Sequence, residues 1–362
     1  MKEIITLVGA RPQFVKASVV SRALRDAGIP EVLVHSGQHY DAAMSAVFFE
    51  ELGLPEPALN FEAGSGSHGA QTAAILAKTE ELLLSRRDRT LALMVYGDTN
   101  STLAGALAAA KLHIPVIHVE AGLRSFNRQM PEEVNRVLTD QLSSLLFCSS
   151  ETGAAHLRAE GISAGVHITG DVMHDAVRIF SGLATEKGEA LRLVPLNGGA
   201  PFTLSGPAAL LTVHRPSNTD DPANMAAILE GAADFSGEVI WPVHPRNHDR
   251  LSGMRIPPNI RLVKPLPYLS LLQLLAQAAL VLTDSGGLQK EAYWLKKACI
   301  TLRLETEWVE TLEGGWNQLT GPDAAAIRQA ISNPPATPWQ PLYGDGYASQ
   351  HIAAIIKAHF GL

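Results

Sequence analysis

The chain has 362 residues, of which 46% are hydrophobic and 18% charged, a composition typical of a folded globular protein with about two domains. Its 29 basic and 36 acidic residues give a net charge of −7 without a basic cluster. This argues against nucleic acid as a partner, because such binding neutralises many phosphates. No apolar run approaches the roughly 20 residues of a membrane helix. The N-terminus predicts a strand instead of a signal sequence, so we expect a cytoplasmic protein without a membrane partner.

In the first half of the chain, short apolar runs alternate with helical stretches. The predicted strands are 4–9, 32–36, 91–96, 115–119, 145–148 and 166–169. Pro12 suits the first turn of a helix that ends before Gly28, and Pro131 opens another helix with leucines at helical spacing. Repeated strand, turn and helix predict a doubly wound parallel sheet.

The pattern weakens between residues 171 and 207, where glycine and proline accumulate, and then resumes. The second series of predicted strands is 210–213, 239–243, 260–263, 280–283 and 299–302. We therefore predict an α/β protein with two Rossmann-like doubly wound domains facing a central cleft. The predicted segments are a first domain 1–172, a second domain 173–345, and a C-terminal helix in 346–362 that packs back on the first domain.

The chain has two cysteines. Cys148 and Cys299 each lie in an apolar, strand-like run. We predict buried, unreactive thiols and not a disulfide or a metal site.

Polar residues recur where the predicted strands end. In open α/β sheets, ligands bind beyond the carboxyl ends of the strands, so this edge predicts a ligand site. The residues found there are Arg11, Asp98, Glu120, His214, His244 and Ser285.

The turn Ser285-Gly286-Gly287 leads from an apolar strand into a helix. Glycines allow a ligand to approach the backbone closely, and a helix N-terminus carries a partial positive charge, so a pyrophosphate would fit there. The alternative is that the glycines only turn the chain from strand to helix.

The candidate residues in the first half also have structural interpretations. Asp98 is well placed to cap the helix that begins near Thr99, whereas Glu120, followed by Ala-Gly, is a poor cap and a better catalytic candidate. Glu132 and Arg136 are four residues apart and fit a surface ion pair on a helix. Lys16 is either solvated or a cation that reaches into the cleft.

The histidines in the second half have similar alternatives. His214 follows an apolar strand, where a histidine often only makes a hydrogen bond. His244 and His248 have the spacing of a helical metal pair, but the neighbouring prolines predict a loop.

Six motifs, in order, resemble the non-hydrolysing UDP-N-acetylglucosamine 2-epimerase family. They are residues 9–12 (GARP), 37–41 (GQHYD), 96–99 (YGDT), 118–124 (HVEAGLR), 131–136 (PEEVNR) and 283–287 (TDSGG). The resemblance implies a GT-B-like fold, a UDP-sugar substrate and a homodimer. It also implies no metal, no nicotinamide and no other cofactor.

The resemblance assigns roles to individual positions. Those implied to bind the UDP-sugar are Arg11, Lys16, His39, His214, Ser285, Gly286, Gly287 and Glu291. Those implied to act in catalysis are Asp98, Glu120, Glu132, Arg136 and His214.

The family's chemistry explains the need for several carboxylates. The C2 hydrogen of a UDP-sugar has no neighbouring carbonyl to acidify it, so direct deprotonation is beyond a side chain. Family members eliminate UDP first, positive charge develops at C1 and the ring oxygen, and the C2 proton becomes removable. Carboxylates stabilise that cation, as in glycosidases. The glycal then takes a proton on the opposite face, and UDP adds back.

The chain departs from the family pattern at three positions. Trp308 stands where an arginine is common, and Leu266 and Leu271 replace a glutamine and a phenylalanine near the uracil. Residues 170–176, 214–221 and 305–310 resemble the branch that acts on UDP-2,3-diacetamido-2,3-dideoxyglucuronate and gives the mannuronate. A uronate needs a cation near C6, for which Arg303 and Arg124 are candidates.

Three alternatives stay open at the level of sequence. The first is the same reaction on UDP-N-acetylglucosamine. The second is a GT-B glycosyltransferase, which would share the nucleotide turn but would not need acidic residues at three places around C2. The third is a nucleotide-sugar sensor without catalysis.

Overall fold

The computed structural model describes residues 2–37, 52–186, 190–244, 247–251 and 253–362. The chain divides into two compact units, one formed by Met1–Ala176 with Tyr343–Leu362 and the other by Val177–Leu342. The chain thus crosses from one unit to the other after residues 176 and 342. The sequence predicted the domain boundaries after residues 172 and 345.

Each unit is built on one parallel β-sheet. The strands of the first unit are β1 Glu3–Val8, β2 Glu31–His35, β3 Leu59–Asn60, β4 Thr90–Tyr96, β5 Val116–Ala121, β6 Leu145–Cys148 and β7 Val166–Ile168. Those of the second unit are β8 Ala208–Thr212, β9 Glu238–Pro242, β10 Ile260–Val263, β11 Leu280–Thr283, β12 Ala298–Thr301 and β13 Asn317–Leu319. The central strands are largely apolar and buried because both faces of a parallel sheet are covered by helices.

The strand order has one reversal point in each sheet. It is β3-β2-β1-β4-β5-β6-β7 in the first unit and β10-β9-β8-β11-β12-β13 in the second. All strands run parallel, and the direction in which successive strands are added across the sheet reverses between β1 and β4, and again between β8 and β11. Crevices form at such switch points, beyond the carboxyl ends of the strands.

The described helices cover the faces of the two sheets. They are α1 Arg11–Asp26, α2 His68–Ser85, α3 Asn100–Lys111, α4 Pro131–Leu142, α5 Glu151–Ala159, α6 Val172–Glu186, α7 Pro216–Thr219, α8 Pro222–Ala232, α9 Tyr268–Gln277, α10 Gly286–Trp294, α11 Ala324–Ser332 and α12 Ala348–Phe360. In the first unit α12 contacts α1, and the Lys357 ammonium donates a hydrogen bond to the carbonyl of Ala27 at 3.0 Å.

The start of α1 shows how the sequence positions a site element. Pro12 lies in the first turn, where a missing N–H has no cost. The Gln13 amide oxygen accepts the N–H groups of Gly9 at 2.7 Å and Ala10 at 3.1 Å, and its NH₂ donates to the carbonyl of Tyr96 at 2.7 Å. One buried side chain therefore joins the ends of β1 and β4.

The observed sheets confirm the predicted α/β class with two Rossmann-like sheets, and all eleven predicted strands are present. The prediction missed the edge strands β3 and β13, which have two and three residues. Runs this short carry no periodicity. The helical stretch predicted after residue 41 lies outside the described residues.

No helix in the described part of the chain is long and apolar enough to span a bilayer. Cys148 in β6 and Cys299 in β12 are buried free thiols, as predicted. Burial raises the pKa of each thiol to about 12, so both stay protonated at neutral pH.

Candidate active site

Ion-paired carboxylates lie at the carboxyl edge of the first unit's sheet. Asp98 follows β4, and Glu120 lies near the end of β5. Gly97 lies beside Glu120, since a Cβ added to it would be 3.3 Å from the Glu120 Oε2 atom. The structure thus brings together two of the three carboxylates that the sequence assigned to catalysis.

Glu120 has an unusual backbone conformation. Its φ angle is +74°, a left-handed region that non-glycine residues rarely adopt. The pairing of β5 with β6 is irregular between Val119 and Ala121, so Glu120 is the extra residue of a β-bulge. Bulges redirect side chains, and such strain persists only where the surrounding structure holds it. The bulge turns the Glu120 side chain toward α1.

Lys16 on α1 pairs with Glu120. The two side chains are 11% and 10% exposed, and the ammonium donates a hydrogen bond to Oε2. Burial alone would lower the pKa of Lys16, but the Glu120 carboxylate, with Asp171 and Asp98 beyond it, raises the pKa above its ordinary value. Lys16 is therefore charged in this environment and is not the solvated lysine of the alternative interpretation.

Arg136 on α4 holds two carboxylates. Its guanidinium donates hydrogen bonds to Asp98 and, at 3.0 Å, to Glu133. Burial would lower the pKa of Arg136, but Asp98, Glu133 and Glu120 raise it. Asp98 is thus an ion-pair partner of Arg136, and its side chain does not cap α3.

The expected surface ion pair between Glu132 and Arg136 does not form. Glu132 is exposed and makes no hydrogen bond or ion pair with the described residues. Helical geometry turns Glu133 inward instead, where its carboxylate accepts hydrogen bonds from the N–H and hydroxyl of Ser125 at 2.8 and 2.9 Å and from the N–H of Phe126 at 3.0 Å. Glu133 therefore fixes the loop before α4, a role that the sequence analysis missed.

In the second unit, the Ser285 turn begins α10. The Ser285 hydroxyl accepts the N–H of Leu288 at 3.4 Å and caps the helix. Neither Gly286 nor Gly287 has a positive φ angle. A Cβ on Gly286 would meet only ordinary contacts of 3.7 to 3.8 Å, and one on Gly287 would meet nothing within 4 Å. The fold itself therefore does not require glycine at either position.

His214 lies at the other side of the switch point in the second unit, where Asp284 holds it. Asp284 is fully buried and accepts hydrogen bonds from the backbone N–H groups of His214 at 3.0 Å and Arg215 at 2.9 Å. Its Oδ1 atom lies 3.1 Å from the His214 Nδ1 atom. Burial would raise the pKa of Asp284, but His214, Arg215 and Asn218 hold it below its ordinary value.

Asp284 is a second residue that the sequence analysis missed. It lies inside the recognised motif, yet its role depends on a partner 70 residues away. The sequence signal for the role of Asp284 was an acidic residue placed between an apolar strand and a helix cap.

Other side chains surround the Gly286 turn. The Arg303 guanidinium makes a two-point ion pair with Glu307, at 3.1 and 3.0 Å. The Lys290 ammonium lies 3.5 Å from the centre of the Trp308 ring, in a cation–π contact. Trp308, which departs from the family pattern, is therefore buried beside the turn.

The remaining predicted residues lie at different places. Glu291, one turn along α10, is buried and accepts the Tyr268 hydroxyl at 3.0 Å. Arg11 is the first residue of α1. His39 lies outside the described residues. Across the part of the chain that the structure describes, no group of three or more His, Cys, Asp or Glu side chains is arranged to hold a metal.

Comparison with known proteins identifies the family. The family model described as UDP-N-acetylglucosamine 2-epimerase matches residues 22–357. A Methanococcus maripaludis protein named UDP-N-acetylglucosamine 2-epimerase homolog is 44% identical over 98% of this chain and 99% of its own. The UDP-2,3-diacetamido-2,3-dideoxy-D-glucuronate 2-epimerase of Pseudomonas aeruginosa is 42% identical over 97% of this chain and 98% of its own.

Solved structures agree with the sequence relatives. The crystal structure of Methanocaldococcus jannaschii UDP-GlcNAc 2-epimerase in complex with UDP-GlcNAc and UDP is 37% identical, with a TM-score of 0.83 over 99% of this chain and 100% of that chain. The structure of the Neisseria meningitidis enzyme bound to UDP-GlcNAc is 26% identical, with a TM-score of 0.84 over 98% of this chain and 100% of that chain. These matches confirm the resemblance drawn from the six motifs, including the GT-B-like architecture of two Rossmann-like domains. The chain belongs to the UDP-N-acetylglucosamine 2-epimerase family of isomerases.

Proposed function

We propose that the chain inverts C2 of UDP-2,3-diacetamido-2,3-dideoxyglucuronate, giving the mannuronate, by eliminating UDP and adding it back. The observation that carries the chemistry is the pairing of Lys16 with Glu120 and of Arg136 with Asp98, at the carboxyl ends of the adjacent strands β5 and β4. Two carboxylates held in fixed positions by cationic partners suit a reaction whose transition state carries positive charge at C1.

In this proposal the first unit acts on the sugar. Asp98 and Glu120 stabilise the cation and exchange protons at C2, and Glu132 is the third acidic group. Lys16 and Arg136 hold the first two carboxylates in position through their ion pairs. An acid or base on each face of C2 is the minimum that inversion requires.

The second unit binds the UDP portion in this proposal. The N–H groups at the start of α10 and the cap residue Ser285 receive the phosphates. The lack of any steric need for glycine at Gly286 and Gly287 supports this role, because close approach of a ligand is the remaining reason for both glycines. His214, held by Asp284, and Glu291 complete the set in the second unit. For Arg11 and His39, which belong to the first unit, the assignment to the UDP-sugar rests on the family resemblance alone.

The preference for the uronate rests on the Pseudomonas aeruginosa relative and on residues 305–310. Of the two candidate cations, Arg124 has a 1% exposed side chain and is bound by Asp140 and Glu160. Arg303 is the better candidate, since it lies beside Gly286, although Glu307 occupies its two terminal nitrogens. The second candidate substrate is UDP-N-acetylglucosamine, which the Methanocaldococcus jannaschii and Neisseria meningitidis relatives support.

Incubation of the purified protein with each nucleotide sugar in heavy water tests the proposal. The true substrate gains deuterium at C2 while its epimer appears. Exchange in UDP-N-acetylglucosamine alone would overturn the uronate assignment. Exchange in neither nucleotide sugar would overturn the epimerase proposal. A glycosyltransferase or a nucleotide-sugar sensor would then be the remaining interpretations.

We also propose that the chain forms a homodimer. Val134 and Leu138, one turn apart on α4, are 42% and 46% exposed, and Phe126 in the preceding loop is 73% exposed. Apolar side chains grouped in this way are typical of protein–protein contacts. Sedimentation of the wild type and of Leu138→Glu measures the oligomeric state, and a monomeric wild type would contradict the proposal.

A further inference from the structure

A buried charged network in the first unit contacts the segments that carry Asp98 and Glu120 but does not include those two carboxylates. His118 is on β5, Asp140 on α4, and Arg124 in the loop after β5. His118 and Asp140 are fully buried, and Arg124 is 7% exposed. Buried ionised groups are expensive unless each is paired, so this arrangement needs a physical reason.

The contacts of His118 and Asp140 connect two glycine turns. The His118 Nε2 atom lies 2.8 Å from the carbonyl oxygen of Gly97, and its Nδ1 atom lies 2.7 Å from the Asp140 Oδ1 atom. The other carboxylate oxygen, Oδ2, accepts the N–H of Gly122 at 3.1 Å and lies 2.7 Å from the Arg124 Nη1 atom.

These contacts place a hydrogen-bond acceptor at each ring nitrogen of His118. Burial alone would raise the pKa of Asp140, but His118 and Arg124 hold it below its ordinary value, so Asp140 is a carboxylate and only accepts hydrogen bonds. The carbonyl of Gly97 also only accepts. The ring therefore lies between two acceptors, one on each of the two glycine turns.

The two turns flank the catalytic candidates. Gly97 directly precedes Asp98, and Gly122 is two residues after Glu120. Gly97, Glu120 and Gly122 have φ angles of +60°, +74° and +79°. The left-handed conformation at Glu120 is strained, and the bond from the Gly122 N–H to Asp140 is one of the contacts that hold this segment.

We propose that His118 and Asp140 are positioning residues that set the Asp98 and Glu120 carboxylates relative to each other. The inference rests on the proposed epimerisation at these two carboxylates. A positioning role differs from a purely structural role, because removing it would slow the chemical step in protein that is still folded. A displacement of about 1 Å costs about 10²-fold in rate.

Asp140→Asn tests the inference because it keeps the shape of the side chain and removes its charge. The matched control is Asp175→Asn. Asp175 is equally buried in the same unit, and it accepts the N–H groups of Ala348 at 2.9 Å and Ser349 at 2.7 Å at the start of α12. Both variants lose buried hydrogen bonds to a carboxylate, but only Asp140 contacts the segment that carries Glu120.

We expect Asp140→Asn to lower kcat about 10²-fold with KM within about threefold of the wild type, and Asp175→Asn to lower stability with kcat within about threefold. Rates are measured per folded molecule, with the substrate on which the wild type is active. Equal kcat in the two variants overturns the positioning role. A wild type inactive on every UDP-sugar overturns the proposed function instead.

A second measurement does not depend on a variant that folds. Nitrogen NMR of the wild type, with His118 assigned, reports whether each ring nitrogen carries a proton. We expect a proton on each nitrogen, because each faces a hydrogen-bond acceptor. A neutral ring would break one of the two bridging bonds and overturn the inference.

Discussion

Lys16, in the second turn of α1, and Glu120, in the bulge of β5, form an ion pair across 104 residues of sequence. The sequence analysis assigned them to different tasks, Lys16 to the UDP portion and Glu120 to catalysis. Their pairing joins those tasks, because the lysine that holds the Glu120 carboxylate lies on the helix that follows β1 at the switch point.

The first prediction concerns Glu120→Gln. We expect kcat to fall by about 10² to 10⁴, since an acid/base group is lost, while UDP affinity stays near that of the wild type. Stability should fall by about 3 kcal/mol, because Lys16 is left buried without its partner. Turnover, UDP titration and denaturant unfolding measure the three effects.

The double variant Lys16→Met with Glu120→Gln is the control for that prediction. It removes both charges, so stability should return toward the wild type while activity stays lost. Unchanged turnover in Glu120→Gln would remove Glu120 from the mechanism. Recovery of activity in the double variant would mean that the single variant had acted through stability alone.

The second prediction separates two neighbouring glutamates. Glu132→Gln should lower kcat without a change in stability, since Glu132 is exposed and makes no contact with the described residues. Glu133→Gln should lower stability by about 1 to 3 kcal/mol, because Glu133 accepts three hydrogen bonds and pairs with Arg136. Turnover kinetics and thermal unfolding of both variants, measured side by side, distinguish an effect on catalysis from an effect on stability. Wild-type kcat in Glu132→Gln would contradict the assignment taken from the resemblance.

The third prediction concerns Asp284→Asn in the second unit. His214 loses its carboxylate partner, so we expect UDP affinity to weaken about tenfold, or about 1.4 kcal/mol. The control is Asp221→Asn, which removes the charge of the residue that caps α8 but keeps a side-chain oxygen able to accept the N–H of Ala223, as Asp221 does at 2.8 Å. Calorimetric titration with UDP should give wild-type affinity for the control. Equal affinity in both variants would contradict a role for Asp284.

The same substitution has a pH signature. The folded pKa of Asp284 is lowered, so its contribution to stability is fully present above the unfolded value of about 3.9 and is lost as pH falls through the folded pKa. The stability difference between the wild type and Asp284→Asn should therefore be constant from neutral pH to about pH 5 and shrink below about pH 4. A constant difference down to pH 2 would contradict the lowered pKa.

Strand positions and strand-end residues were predictable from the sequence because they follow from local patterns. Apolar runs gave every strand of four or more residues, and polar residues at strand ends gave Asp98, Glu120, His214 and Ser285. The strand order was not readable, since pairing depends on contacts far apart in sequence. Parallel strands are joined by long crossover connections, usually a helix, so neighbours in the sheet lie far apart in the chain.

The parts of the site that the sequence did not predict depend on buried partners. Glu133 and Asp284 lie inside recognised motifs, but their functions follow from hydrogen bonds to Ser125 and His214 that no spacing rule gives. The left-handed conformation of Glu120 comes from a bulge, which is a property of two paired strands. The choice between Glu132 and Glu133 as partner of Arg136 required the helix orientation.

The fourth prediction decides between the two interpretations of the Ser285 turn. If the glycines only turn the chain, Gly286→Ala and Gly287→Ala should leave UDP affinity unchanged. If they allow a phosphate to approach the backbone, each alanine should weaken UDP binding about tenfold or more, because a methyl group occupies the ligand's space. The unliganded fold has room for both methyl groups, so thermal stability should stay the same or rise by up to about 1 kcal/mol.

The control for the turn is Gly231→Ala on α8 of the same unit. A Cβ there would lie 2.7 Å from the Ile327 Cβ atom, so stability should fall while UDP affinity stays at the wild-type value. A general loss of structure cannot produce weaker binding with unchanged stability at positions 286 and 287 together with the reverse at position 231. Wild-type UDP affinity in both turn variants would leave the glycines with no role in binding, and the phosphates would then have to bind elsewhere in the protein.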